Sequence, residues 1–344
     1  MEYKGKHRIF DITKVNTYPV MTRKNRVTVA SILTPERVLN TRYEVSRSVE
    51  EKIDAVAKHI VTAYKDNKPI IVFVGAHLVK NGLGYLVTDL MKRGLVSLFA
   101  SNCAGAIHDF ELALFGETSE VVPNGLPKGT FGMAYEFCYI NEAIRLGNQM
   151  RLGLGESLGR MILDGQFREE VLRRVARPNS PTEFKNPDKS VLAVGYQMGI
   201  PVTIHVTIGT DVIDQHPNFD PESKGGTSGR DFMIMVDTVS RMTNGGVELN
   251  IGSAVTGPEV FLKAVSLSAN VGKPPSSIVT ADFDMRPHEP EAMTDEGSVY
   301  YYYRDQKSVV TRIPEAFHGK GFYVRGDQHL TIPLLYQKII NLLG

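Results

Sequence analysis

Cysteine is nearly missing from this chain of 344 residues: only Cys103 and Cys138 occur. Two thiols cannot build a disulfide framework, nor a four-thiolate zinc site within one chain. Such sparse use points to a reducing compartment. Excess charge is missing as well. Lys and Arg number 39 against 38 Asp and Glu, a formal net charge of +1. That balance gives no electrostatic reason to expect nucleic acid or an anionic membrane surface as a partner. The basic cluster at 168–177 reads as the solvated face of a helix. No run of 18 apolar residues appears, so no spanning helix is expected. The opening residues MEYKGKHRIFD lack the apolar run of a signal peptide. The expectation is a cytoplasmic protein with no nucleic-acid and no membrane partner. Several motifs are absent too: the GxxxxGK phosphate loop, the GxSxG elbow, the HExxH zinc helix, and any GxGxxG following a strand. The string LGLGESLG, with Gly153 and Gly155, imitates the last of these, but no apolar strand precedes it.

What is present is a large apolar complement, 42% of residues, enough for a sizeable core. Residues 1–45 form a mixed lead-in with β-prone pieces such as RVTVASIL. Ser48 and Glu51 form a capping-box pattern, followed by Ile53, Val56, Ala57, Ile60, Val61 and Tyr64 at helical spacing. From Pro69 the pattern becomes strand, turn, helix, repeated. The strand segments are IIVFV at 70–74, 95–100, a weak one at 192–194, PVTIHV at 201–206, GVELNI at 246–251 and SIVTA at 277–281. Helices are expected at 83–92, 106–115, 134–152, 231–242, from Pro258, and at 330–343. The tyrosines 300–303 read as a strand. Residues 177–188 and 214–230 read as polar loops, the second a candidate lid over the strand ends. This alternation predicts an α/β fold: a Rossmann-like, mostly parallel sheet with helices on both faces. One domain over 46–344 is expected, with an insertion around 117–190. In such sheets ligands bind beyond the carboxyl ends of the strands, so the turns after 74, 100, 206, 251 and 281 should share one edge.

The turn SNCAG at 101–105 leads into a helix carrying His108, Asp109 and Glu111. Free backbone N–H groups at a helix start attract phosphate, and small residues let a ligand approach. Plain capping of the helix fits the same residues. Gly252, Ser253 and Ala254 repeat the arrangement, where tight helix–strand packing is the plainer explanation. Gly75, Ala76 and His77 form a weaker third case. Asp211 follows the PVTIHV strand directly, and a carboxylate there can hold an amine or a ribose hydroxyl. A metal site from His205, Asp211 and His216 has no recognised spacing, and His205 suits a hydrogen-bonded core histidine better. No metal is expected.

Together these turns resemble the deoxyhypusine synthase superfamily, an NAD-binding fold of parallel-sheet type, from about residue 70 to the C-terminus. Four stretches carry the likeness: HLVKNGLGYLVTDLMKRGLVSLFASNCAGAIHDFE, IPVTIHVTIGTD with TSGRDF, GGVELNIGSAV, and VRGDQHLTIPLL. The HDFELALFG string also looks like the NAD domain of archaeal ornithine cyclodeaminase-type proteins. The resemblance implies NAD as cofactor, met by Ser101, Asn102, Cys103, Gly105, Gly252, Ser253, Ala254, Asp282 and Asp327. It implies His108, Asp211 and Asp231 as polar groups near the reacting centre. Histidine titrates near neutrality, which makes His108 the acid/base candidate. A homo-oligomer, dimer or tetramer, is implied as well.

One departure limits the reaction. The family's synthases carry a Trp-Gly-Lys segment whose lysine forms an imine, and this chain has no tryptophan. Lys307 and Lys320 stand in unrelated contexts, RDQKSV and HGKGF. The expected function is an NAD-binding enzyme acting on a small amine, polyamine or amino acid, by transfer or redox chemistry, and not a standard deoxyhypusine synthase. The alternatives are a non-catalytic ligand-binding or scaffold protein of the same fold, or an enzyme using another nucleotide-like ligand.

Overall fold

The computed structural model describes residues 3–344. Among them the strands are β1 (Asn25–Thr28), β2 (Ile70–Val74), β3 (Leu98–Asn102), β4 (Glu117–Glu120), β5 (Val202–His205), β6 (Val247–Ile251), β7 (Val279–Asp284) and β8 (Lys320–Arg325). The helices of the first half are α1 (Pro35–Leu39), α2 (Arg47–Lys65), α3 (Ala76–Lys80), α4 (Gly84–Lys92), α5 (Cys103–Phe115), α6 (Val122–Gly125) and α7 (Phe137–Gln149). Those of the second half are α8 (Leu154–Leu163), α9 (Gly165–Val175), α10 (Val191–Met198), α11 (Pro221–Val239), α12 (Thr256–Asn270), α13 (Ile313–Ala316) and α14 (Gln328–Leu343).

Six strands form one sheet in the order β5-β3-β2-β6-β7-β8, every neighbouring pair parallel. The all-apolar β2 lies near its centre, buried along its whole length. Its side chains alternate between two cores, as a strand covered on both faces must. Ile70, Val72 and Val74 pack with Ile53 and Ile60 of α2, Leu86 of α4 and Leu335 of α14. Ile71 and Phe73 pack with Met235 and Val239 of α11 and with Phe261 and Ala264 of α12. The expected Rossmann-like α/β architecture is therefore present, with helices on both faces. Numbered from its own first strand, β2, the sheet reads 3-2-1-4-5-6. The chain starts near the centre, runs out through β3 to β5, then returns to β6 on the other side of β2. That reversal falls between the carboxyl ends of β2 and β6, the place where sheets of this order hold ligands.

Several local expectations change. Ser46, not Ser48, caps α2, because Ser46 has the extended backbone that lets its side chain accept from Val49 N. The weak strand at 192–194 is inside α10, whose cap Ser190 accepts from Ala193 N. The proposed lid 214–230 is instead a 3-10 turn, Val212–Gln215, followed by the first half of α11. Asp220 caps that helix and Pro221 opens it. Tyr300–Tyr302 lie in a 3-10 turn rather than a strand. The helix expected from Pro258 begins at Thr256. β8 was not anticipated. The lead-in is tied to the insertion: β1 pairs antiparallel with β4, and Val20 N donates to Glu136 Oε2 at 2.8 Å.

Candidate functional site

At this reversal the turns after β2 and β6 touch through their backbones. Gly75 N donates to Ile251 O at 2.8 Å, and a Cβ on Gly75 would lie 2.1 Å from Gly252 O. No other residue fits at 75 without moving a strand. Gly252 has φ +61, in the left-handed region, and Gln328 Nε2 occupies the space its side chain would need. Ser253 Oγ accepts from Gly257 N and so caps the first turn of α12. Ala254 and Val255 are exposed at the lip. Along the same edge Ser101 Oγ donates to Val74 O, and Asn102 Oδ1 accepts from Gly105 N to cap α5. Asn102 Nδ2 has no partner among the described residues. A Cβ on Gly105 would lie 2.3 Å from Ser101 Oγ, so that glycine permits the tight strand-to-helix turn.

Beside this edge lies a cavity of about 230 Å³ lined from α3, α5, the turn after β5 and the β4 region. Its polar lining includes Lys80, His108, Glu111, Glu120, Thr210, Asp211 and Arg23. A wider hollow of about 710 Å³ shares Arg23 and Glu120 with it. His108 Nδ1 lies 2.7 Å from Thr118 Oγ1, and that hydroxyl donates to Glu111 Oε2 at 2.5 Å. Arg23 pairs with the other Glu111 oxygen. Burial pushes the Glu111 carboxyl up, but the contact with His108, the Arg23 charge and the Thr118 hydrogen bond outweigh it, holding Glu111 below its ordinary range. Other contacts hold Arg23 in place: its Nε donates to Asn25 Oδ1, its Nη1 lies 3.9 Å from Glu120, and its guanidinium sits over the Phe137 ring. Lys80 and His108 Nε2, by contrast, have no protein partner among the described residues.

The structure brings His108 and Asp211 to one cavity. Asp211 is not a free anion there. The buried Lys224 ammonium donates to Asp211 Oδ2 at 2.8 Å and also binds Asp214. Burial raises Asp211 from its ordinary value, with Lys224 opposing. Cys103 packs beside this group, and burial raises its thiol well above the usual range. Asp231 stands apart, held in α11 against α8 and β5. Its Oδ2 accepts from Gly155 N and Ile204 N, and burial pushes it to about 7. Asp109 is also internal, gripping Ser190 and the N–H groups of Val191 and Leu192 at the start of α10. Asp282 is fully buried and accepts from Asn250 Nδ2. Asp327 is exposed and caps α14 through His329 N. Its neighbour Gln328 is the residue that reaches Gly252, and Gln328 Oε1 is buried without a partner among the described residues.

The histidines once considered for a metal are core residues. His205 stacks on Phe73 and is lowered to about 4 by burial. His216 contacts Gly132 O and Cys138. Among the described residues no group of three metal-binding side chains forms, and no helix is long and apolar enough to cross a membrane. Lys307 lies in the π-helical segment Gln306–Arg312, its Nζ 3.1 Å from the centre of the Tyr301 ring; Lys320 is exposed. Sequence reasoning missed Arg23, Thr118, Glu120 and Lys224. The first three come from the lead-in and insertion, where no strand–helix pattern marks them.

No family model matches the chain, and no curated protein matches it. Solved structures do. ArgZ, an arginine dihydrolase from the ornithine-ammonia cycle in Cyanobacteria, is similar at 18% identity over 88% of this chain, with a TM-score of 0.48. AgrE in a ternary complex with ornithine and NAD+ is similar at 16% identity over 88% of this chain, TM-score 0.46. This chain spans only 33% and 34% of those two proteins. A deoxyhypusine synthase-like protein from Entamoeba histolytica is similar at 10% identity, covering 95% of this chain and 97% of that one, TM-score 0.45.

Proposed function

We propose that the chain is an NAD-binding enzyme acting on a small amine, polyamine or amino acid. The observation that carries this reading is the strand order 3-2-1-4-5-6, with two glycine turns in backbone contact at its reversal point. Dinucleotides lie across that reversal in sheets of this order. The residues there suit the group. Asn102 Nδ2 is a free donor beside the start of α5, and Gln328 Oε1 is an acceptor lacking a donor, which a ribose hydroxyl satisfies. Ala254, exposed at the lip of the same turn, leaves its backbone open to a ligand. When bound, NAD supplies a hydride acceptor.

The 230 Å³ cavity takes the substrate. His108 is the proton-transfer group, Lys80 holds an anionic group of substrate or cofactor, and the Asp211–Lys224 pair stiffens the wall. Asp231 and Asp282 serve packing, not chemistry. A homo-oligomer, a single domain over 46–344 and a cytoplasmic setting belong to the same proposal; sedimentation of the purified chain tests the first.

Calorimetric titration with NAD+ tests the central point. Saturable binding that Gly75→Ala abolishes is expected. No heat of binding, in a chain shown folded by circular dichroism, contradicts it. A screen of amines and amino acids for reduced-nicotinamide absorbance then separates an enzyme from a scaffold, since binding without turnover on any of them favours the scaffold.

A further inference from the structure

We infer that Arg23, Glu111 and Thr118 are positioning residues that fix the neutral tautomer of His108, leaving its Nε2 as the proton acceptor in the cavity. The inference rests on the proposed role of His108 and adds the groups that make the role possible.

Counting protons on the four groups gives the result. Glu111 is held ionised by Arg23 and its other contacts, so its oxygens only accept. Thr118 has one hydroxyl proton, and at 2.5 Å from Glu111 Oε2 that proton is spent there. The Thr118 oxygen must therefore accept from its other neighbour, His108 Nδ1, at 2.7 Å. A neutral His108 thus carries its proton on Nδ1. Nε2 keeps its lone pair, and no described residue competes for it. This is the division of labour an oriented base requires: one ring nitrogen anchored, the other presented to the reacting group.

Burial makes the arrangement rigid. The Arg23 and Glu111 side chains are each 4% exposed, and Thr118 is fully buried. Asn25, Glu120 and Phe137 also hold Arg23, so its guanidinium braces Glu111 in one orientation. Thr118 is set by the β1–β4 pairing, where it lies opposite Val27. The adjoining Ser119 lines the cavity with φ +69, a conformation that L side chains rarely adopt. Strained backbone of this kind persists where surrounding contacts over-determine it. The lead-in is thereby part of the apparatus: it supplies Arg23 and the strand that registers Thr118.

Nitrogen NMR of the full chain labelled with 15N-histidine reads the tautomer directly, His108 being assigned by loss of its signals in His108→Gln. The expected result is a protonated Nδ1 and an unprotonated Nε2 in the neutral ring. Thr118→Val should shift population toward the Nε2–H form, and Thr118→Ser should restore the original distribution. A wild-type ring protonated on Nε2 overturns the inference, as does a Thr118→Val spectrum with unchanged tautomers. The wild-type spectrum decides even where the valine variant does not fold. If a substrate turns over, Thr118→Val should lower kcat by about 10–100-fold with KM little changed, and serine should rescue it. The expected tautomer without NAD binding leaves the relay standing and removes the proposed function; NAD binding with the opposite tautomer does the reverse.

Discussion

Single side chains divide sharply here into those that hold the fold and those left free. The family resemblance implies Asp231 as a polar group near the reacting centre. In the structure two backbone N–H groups occupy it. Its burial has a measurable consequence. The folded chain keeps the Asp231 proton up to about pH 7, against an ordinary value of 3.8. Between those values the folded state binds more protons than the unfolded one, so this group's contribution to stability declines as pH rises through the window. Asp231→Asn keeps an acceptor for both N–H groups and removes the titration. Urea unfolding at pH 5 and pH 8 should therefore show a smaller loss of stability with pH in the variant. Asp109, pushed up to about 6 by burial, contributes its own share, so the slope shrinks without vanishing. An unchanged slope would mean that Asp231 is not buried as described.

Among the elements, glycines decide how closely helices approach strands. The LGLGESLG string owes its glycines to packing: a Cβ on Gly155 would lie 1.8 Å from Val202 O, and one on Gly153 would lie 2.0 Å from Asp231 Oδ1. Gly155→Ala should cost about 1–3 kcal/mol or more, because backbone must move. Gly165→Ala, with open space around the new methyl, should stay within about 0.5 kcal/mol of wild type. Denaturation midpoints of the two variants check the contrast. Legibility from sequence follows the same physics. Strands β2, β3, β5, β6 and β7 are readable, at least approximately, because burial along most of their length favours short apolar-rich runs between turn residues. The first half of α11 was not, because Gly225, Gly226 and Gly229 lower helix propensity and only the Asp220 cap and tertiary packing offset it. β8 escaped because its residues are mostly half-buried or exposed.

Over the whole molecule, the sequence shows the turns that follow the strands but not which residues meet across them. Strand-end turns are local and can be read in order along the chain. The Arg23–Glu111 contact joins residues 88 apart, and Gln328 meets a glycine on another strand; no periodicity announces either. Asp327 caps α14, while its neighbour Gln328 is the residue that meets Gly252. NAD is proposed to lie across the reversal between β2 and β6. Hydrogen–deuterium exchange of the chain, with and without saturating NAD+, tests that placement. Slowed exchange is predicted at the start of α3 after Gly75, at the start of α5 after Asn102, and at the Gly252–Gly257 turn. No change, or protection confined to other segments, would contradict it.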